Sequence, residues 1–214
     1  MAFENRAQAG ETLARHLMKY RGQHPLVLAI PRGAVPMGKI VADALEGELD
    51  VVLVHKLRAP YNPELAIGSI DEVGSAYIDP DARDLWTEPY LETEKKTQLE
   101  TLQQRRKAYG LIGPPVDAAG RVAIVLDDGI ATGSTMIAAL RAVRARHPAK
   151  LIAAAAVAAS ETVRRIAQEA DEVVCVEVPE ILYAIGIHFR DFSQVSDDDV
   201  MATLREARRV RATK

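Results

Sequence analysis

One stretch of the chain, Asp127-Asp128-Gly129-Ile130-Ala131-Thr132-Gly133-Ser134-Thr135, joins two kinds of chemistry. Ala131, Thr132, Gly133, Ser134 and Thr135 are small or hydroxyl residues ahead of a helical pattern marked by Met136, Leu140 and Val143. Such a helix start leaves backbone N–H groups approachable, the hydroxyls add donors, and the helix dipole adds partial positive charge. Together these suit a phosphate dianion. Asp127 and Asp128 would repel a phosphate but can accept hydrogen bonds from sugar hydroxyls. They follow the apolar run Val122 to Leu126, VAIVL. A strand, paired acids and then a phosphate cradle fit a ribose 5-phosphate lying across the loop. Taken alone, ATGST is as readily a capped helix start, because Gly, Ser and Thr are routine there; the preceding VAIVLDD gives the ligand reading its weight. No Gly-Lys-Ser/Thr follows, so the loop is not a Walker A motif, and the chain has no GxGxxG fingerprint.

Three other segments hold residues of interest. Pro31-Arg32-Gly33-Ala34 follows the apolar run Leu26 to Ile30 and opens a helix. A guanidinium with small neighbours can be brought, with backbone amides, against a diphosphate; a plain turn with a solvated arginine is the alternative. Lys56, at the carboxyl end of a second strand, can reach the same diphosphate, whereas neighbouring His55 reads as a packed strand histidine. From Pro179 to Phe192 the chain gathers three of its ten aromatic residues. Tyr183, Phe189 or Phe192 can stack on a flat base, with His188 and Asp191 on its edge, or each can anchor the last helix to the core. Cys175, within VVCVEV, reads as a buried small hydrophobe.

Alternating strand and helix patterns must position these residues. Helices are expected over Asn5 to Tyr20, Val35 to Leu45, Tyr90 to Tyr109, from Met136 to His147-Pro148, Glu161 to Ala170 and Val195 to Arg209. Ser196 is the expected N-cap of the last, ahead of an acidic turn. Buried strands are expected at Leu26 to Ile30, Asp50 to Val54, Val122 to Leu126, Leu151 to Val157 and Val173 to Val178. Lys56 to Pro63 reads as loop by its prolines and Asn62, Ala66 to Ile70 with Ala76 to Ile78 as a hairpin, and Gly110 to Gly120 as a linker. The pattern predicts a three-layer α/β domain with a mostly parallel central sheet flanked by helices. In such sheets ligands lie beyond the carboxyl ends of the strands, which is where the loops after Ile30, Val54 and Leu126 fall.

Composition bounds the function classes. The chain has 214 residues, 48% hydrophobic and 27% charged, so it is neither disordered nor coiled-coil. Lys and Arg number 27 against 30 Asp and Glu, a net charge of −3 that argues against a general nucleic-acid binder. The basic end, Arg205 to Lys214, reads as a solvated helix end. One cysteine forms no internal disulfide and no cysteine zinc site. The longest apolar run, Leu151 to Ala159, is far short of the roughly 20 residues that span a bilayer. The start has no signal-peptide pattern. The expectation is a cytoplasmic protein with no membrane partner.

VAIVLDDGIATGST closely resembles the 5-phosphoribosyl 1-pyrophosphate (PRPP) signature of type I phosphoribosyltransferases. The resemblance extends over roughly Leu26 to Thr203, as a single domain over 1–214. It implies that Asp127 and Asp128 bind the ribose hydroxyls, that Ala131 to Thr135 hold the 5′-phosphate, that Gly129 lies with them in the PRPP-binding loop, and that Arg32 and Gly33 bind pyrophosphate in a loop that often carries a strained or cis peptide. Residues 57–75 stand where the family carries a mobile catalytic lid, and Ala59 to Ser69 resembles a segment of one poorly characterised bacterial branch. A lid is chemically reasonable, since water would trap a ribosyl oxocarbenium ion in an open site. The helix at 90–109 is an insertion, and 178–195 corresponds to the hood over the acceptor. The implied activity is displacement of pyrophosphate from PRPP by a nitrogen nucleophile, with Lys56, Asp127 and Asp128 catalytic. Mg²⁺ would be held mainly through PRPP and water, with Asp127 and Asp128 as further ligands. A homodimer is expected from the family habit. An aspartate usually stands at the position of Ala131 in purine-salvage members, so hypoxanthine, guanine and xanthine are the less expected acceptors. The alternatives are a PRPP- or nucleotide-sensing regulator that transfers nothing, and a flavin mononucleotide binder, which leaves Asp127-Asp128 unexplained.

Overall fold

The computed structural model describes residues 3–110 and 115–212. Its centre is a five-stranded sheet built from β1 (Leu26–Ala29), β2 (Glu48–Val51), β6 (Val122–Asp127), β7 (Lys150–Val157) and β8 (Glu172–Glu177). The spatial order is β2-β1-β6-β7-β8, with every neighbouring pair parallel. Successive side chains of a strand point to opposite faces. Val27, Ala29, Ile124 and Leu126 therefore join one apolar cluster, and Leu26, Leu28, Ala123 and Val125 the other. Both clusters are buried, which is why these strands are continuous apolar runs. Helices α1 (Arg6–Leu17) and α2 (Ala34–Ala44) cover one face, and α4 (Ser134–Arg144) and α5 (Ser160–Ile166) the other. The alanines of β7 are buried on both sides, as their small size allows. Helix α5 ends sooner than the sequence pattern implied. The last helix, α6 (Asp197–Ala212), starts on a reciprocal cap: the Asp199 N–H donates to Ser196 Oγ at 3.1 Å, and the Ser196 N–H to Asp199 Oδ2 at 2.9 Å.

The segment after β2 departs from expectation. Residues 50–54 are not one strand: β2 stops at Val51, and β3 (Val54–Ala59) begins a separate antiparallel sheet with β4 (Asn62–Asp71) and β5 (Ala76–Ile78). Lys56 to Pro63 is thus mostly strand rather than loop. The two prolines do not oppose this, because Pro60 stands at the turn and Pro63 lies where the register slips between the Ala59–Asn62 and Arg58–Ala66 pairs. Neither removes a bond the ladder needs. Helix α3 (Glu88–Ala108) packs on this meander, and a buried charge cluster pins both to the main sheet. Arg106 reaches Glu72 at 3.0 Å and Asp50 at 3.2 Å, while Arg146 reaches Asp71 at 3.0 Å. Burial pushes the Glu72 carboxyl up to about 7, against the pull of Arg106. The expected linker falls partly on residues 111–114, outside the described residues. Among the described residues no helix is long and apolar enough to cross a membrane.

Candidate functional site

Strand β6 delivers Asp127 and Asp128 at its carboxyl end, and the loop that follows turns into α4 at Gly133. Gly133 sits at φ +79, in the left-handed region that favours glycine. Helix α5 holds the loop from outside: Thr162 Oγ1 donates to the Ala131 carbonyl at 2.9 Å, and Arg165 Nη1 to the Thr132 carbonyl at 3.2 Å. With those carbonyls turned away, the N–H groups of Thr132, Gly133, Ser134 and Thr135 have no acceptor among the described residues. Thr132 Oγ1 and Ser134 Oγ lie 3.3 Å apart beside them. This is an anion cradle of backbone donors at a helix N-terminus.

The two acids differ in surroundings. Asp127 accepts the Asp128 N–H at 2.9 Å, and burial together with the neighbouring Asp128 carboxylate holds its own carboxyl well above the usual range. Asp128 is buried and pairs with Arg6 Nε at 2.8 Å through Oδ2. It also faces the turn after β1. A Cβ built on Gly33 would lie 2.0 Å from Asp128 Oδ2, so only glycine leaves the carboxylate its place. In that turn the Pro31–Arg32 peptide is cis, and Gly33 caps α2. Arg32 is half-exposed and stands 3.9 Å from Asp197 at the start of α6.

Lys56 is exposed on β3, paired in register with Ser69. With Ser134, Arg165, Tyr77 and Asp79 it lines a cleft of about 210 Å³, which brings Lys56 and the start of α4 to one cavity. His55 bonds Gln98 of α3 at 2.8 Å, in keeping with a packed strand histidine. The segment at 57–75 is folded as a hairpin whose tip residue Tyr61 is almost fully exposed.

The segment expected to form the hood, 178–195, is tied to Phe3 and Glu4. The Phe3 N–H donates to the His188 carbonyl at 2.7 Å, that of Arg190 to the Phe3 carbonyl at 2.8 Å, and that of Asp191 to the Glu4 carbonyl at 2.9 Å. Gly129 lies against Ile185. Two of the three aromatic candidates have their faces occupied. Phe189 is buried between Phe3 and Phe192, with ring centroids at 5.3 and 4.7 Å, and the Arg6 guanidinium lies 3.8 Å over the Phe192 ring. These rings pack, and only Tyr183 has an open face, in solvent. His188 Nδ1 lies 2.8 Å from Glu177 at the end of β8. Burial pushes the Cys175 thiol up to about 12, consistent with an inert packed residue.

Reasoning from residue type and order misses Arg6, Thr162 and Arg165. Arg6 looks like any polar residue of a first turn, and the α5 pair carries no motif. Their signal is wholly three-dimensional.

A model of the phosphoribosyl transferase domain matches residues 2–190. The chain belongs to the phosphoribosyltransferase family. It is 38% identical over 209 residues to the "Putative phosphoribosyl transferase Rv0571c" of Mycobacterium tuberculosis H37Rv, covering 97% of this chain and 47% of that protein. The same figures hold for MT0597 of strain CDC 1551, so this chain spans about half the length of the curated relatives it matches. The crystal structure of TT1426 from Thermus thermophilus superposes with a TM-score of 0.88 at 41% identity, covering 96% of this chain and 99% of that one. AQ2163 from Aquifex aeolicus shares the fold alone, at 15% identity and a TM-score of 0.50, covering 85% and 78%. In this phosphoribosyltransferase-family chain, the acid pair and the cradle thus stand at the end of a central strand of a mostly parallel α/β sheet.

Proposed function

We propose that the protein transfers a phosphoribosyl group from PRPP to a nitrogen nucleophile. The observation that carries this reading is the joint at the ends of β1 and β6. A paired acid at the end of β6, a row of backbone N–H donors at the start of α4 and a glycine turn that touches Asp128 meet there. The 5′-phosphate takes the N–H groups of Thr132 to Thr135, far from the reacting carbon, so its binding energy positions the sugar. Asp127 and Asp128 accept from the ribose hydroxyls and favour the positive charge that develops at the anomeric carbon. Arg32, the Gly33 turn and Lys56 receive the diphosphate. The acceptor nitrogen's lone pair forms the new C–N bond as the bond from the anomeric carbon to pyrophosphate breaks. Pyrophosphate leaves with that electron pair, and the acceptor nitrogen gives up its proton to water.

Mg²⁺ fits this donor set in one way. Among the described residues no three acidic, histidine or cysteine side chains gather to hold a metal. Two carboxylates beside a diphosphate suit a hard cation that keeps its substrate-oxygen and water ligands. Asp127 and Asp128 would complete that shell, and the bound ion would neutralise charge on the leaving pyrophosphate. The β3–β4 hairpin serves as the lid in this reading, with Tyr61 at its tip.

Calorimetric titration of PRPP, with and without Mg²⁺, into wild type and Asp128→Asn tests the reading. The expected result is Mg²⁺-dependent binding that weakens at least tenfold in the variant, followed by pyrophosphate release with one member of a base or amine panel. Failure of folded wild type to bind PRPP would overturn it.

A further inference from the structure

Arg6 opens α1 just after its N-cap Asn5, and its guanidinium leaves the helix to make three engagements at once. Nε donates to Asp128 Oδ2 at 2.8 Å, Nη1 donates to the Ser193 carbonyl at 2.6 Å, and the guanidinium plane covers the Phe192 ring at 3.8 Å. The pair with Asp128 is shielded, with the two side chains 13% and 12% exposed. The guanidinium also borders the β1 turn, since a Cβ on Gly33 would lie 3.3 Å from Arg6 Nε. Ser193 and Phe192 belong to the hood; Asp128 belongs to the signature loop. Arg6 thus bonds both the acid of the loop and the backbone of the hood through one planar group.

We propose that Arg6 is a positioning residue that couples the hood to Asp128, so that the acceptor side of the site sets the placement of the acid on the ribose side. The significance for catalysis rests on the reading that Asp128 meets the ribose. A guanidinium is a rigid planar fork, so its donors and its stacking face move together. Displacing Phe192 or Ser193 turns the plane and draws Nε away from Asp128. In the other direction, a carboxylate held at Oδ2 keeps the plane over Phe192 and keeps Nη1 on Ser193. A lysine would keep the charge but could not hold the acid, the carbonyl and the ring in one geometry.

Two measurements test the coupling. The first needs no ligand: hydrogen exchange of the Arg190 and Asp191 amides, which donate to Phe3 and Glu4 and so report hood order. In Asp128→Asn, which preserves the side chain's shape, these amides are expected to exchange at least tenfold faster than in wild type. The second is a cycle of Arg6→Gln, Asp128→Asn and the double variant, read by PRPP affinity. Arg6→Gln is expected to weaken PRPP about tenfold in the wild-type background and less than twofold in the Asp128→Asn background. A merely structural arginine would cost the same in both. Arg6→Lys replaces Arg6→Gln in the cycle should the latter not fold. Wild-type exchange rates in Asp128→Asn overturn the coupling whatever PRPP does, and additive losses in the cycle overturn the positioning role. Wild type that binds no PRPP overturns the reading of the site, whereas faster exchange in Asp128→Asn would still establish the coupling.

Discussion

Gly33→Ala is a substitution of one methyl that the backbone accepts and the site does not. Gly33 has φ −57 and ψ −34, helical values open to any residue. Alanine there costs no backbone strain, and it restricts the unfolded chain, a gain of about 0.4–1 kcal/mol. The new carbon, however, would sit 2.0 Å from Asp128 Oδ2 and 2.8 Å from its Cγ. Non-bonded heavy atoms settle at about 3.5 Å, so the carboxylate oxygen must withdraw by about 1.5 Å. The 2.8 Å bond from Arg6 Nε then passes beyond hydrogen-bond range. Losing a shielded bond of this kind costs about 1.5–3 kcal/mol, so the net stability loss is about 0.5–2.6 kcal/mol. For binding there is no compensating gain. On the proposed reading, an acid moved this far no longer meets the ribose hydroxyls, and about 1.5–3 kcal/mol corresponds to roughly a 10- to 150-fold weaker PRPP complex. Gly10→Ala in α1 is the control, because its methyl would meet Ile40 and Met37 at an ordinary 3.4 Å. It is expected to be neutral or slightly stabilising and to leave PRPP binding unchanged. Thermal unfolding and PRPP calorimetry on both variants decide the matter. Wild-type affinity in Gly33→Ala would refute the placement of Asp128 against the β1 turn as the basis of binding.

Other outcomes follow from the same geometry. Lys56→Ala removes an exposed amine, so the melting temperature should stay close to wild type while turnover falls at least tenfold; unchanged turnover would take Lys56 out of the site. Glu72 has its carboxyl raised from an ordinary 4.5 to about 7, chiefly by burial. Its contribution to stability is therefore fully present below pH 4.5 and is lost as pH rises through 7, an effect of up to about 3 kcal/mol. Glu72→Gln should abolish that decline, seen as a wild-type-minus-variant melting difference that changes between about pH 5 and 8; a flat difference would contradict it. Cys175, with its thiol pushed up to about 12, should resist iodoacetamide at about pH 8 until the chain is unfolded, as mass spectrometry would show.

The parts of the fold legible in the sequence are those where both faces of a strand are covered. Leu26 to Ile30, Val122 to Leu126 and Leu151 to Val157 are apolar throughout because α1 and α2 lie on one side and α4 and α5 on the other. Of the meander, the hairpin of Ala66 to Ile70 with Ala76 to Ile78 was legible, whereas β3 hid because it shows polar residues to solvent, with Lys56 and Arg58 exposed, and because two prolines mask a strand pairing that avoids them. Length alone did not mislead: β4 runs ten residues, long enough for a clear signal had its first residues not included Pro63 in the slipped register.

The site divides along the same line. The acids and the cradle are contiguous in the chain, so residue type and order reveal them directly. Arg6 is separated from Asp128 by 122 positions, and nothing local marks it. Phe192 offered a partial clue, since an aromatic ring beyond the last strand calls for a flat partner. In the folded chain that partner is the guanidinium of Arg6, which also reaches the acid. The sequence separates a residue suited to stacking from a residue suited to binding ribose; the fold joins them through a third residue that has neither signature. A substitution at Phe192 should therefore be felt at Asp128, because Arg6 carries the displacement from one to the other. This is the physical reason that a contiguous motif marks the proposed ribose subsite yet leaves its link to Phe192 and Ser193 unread.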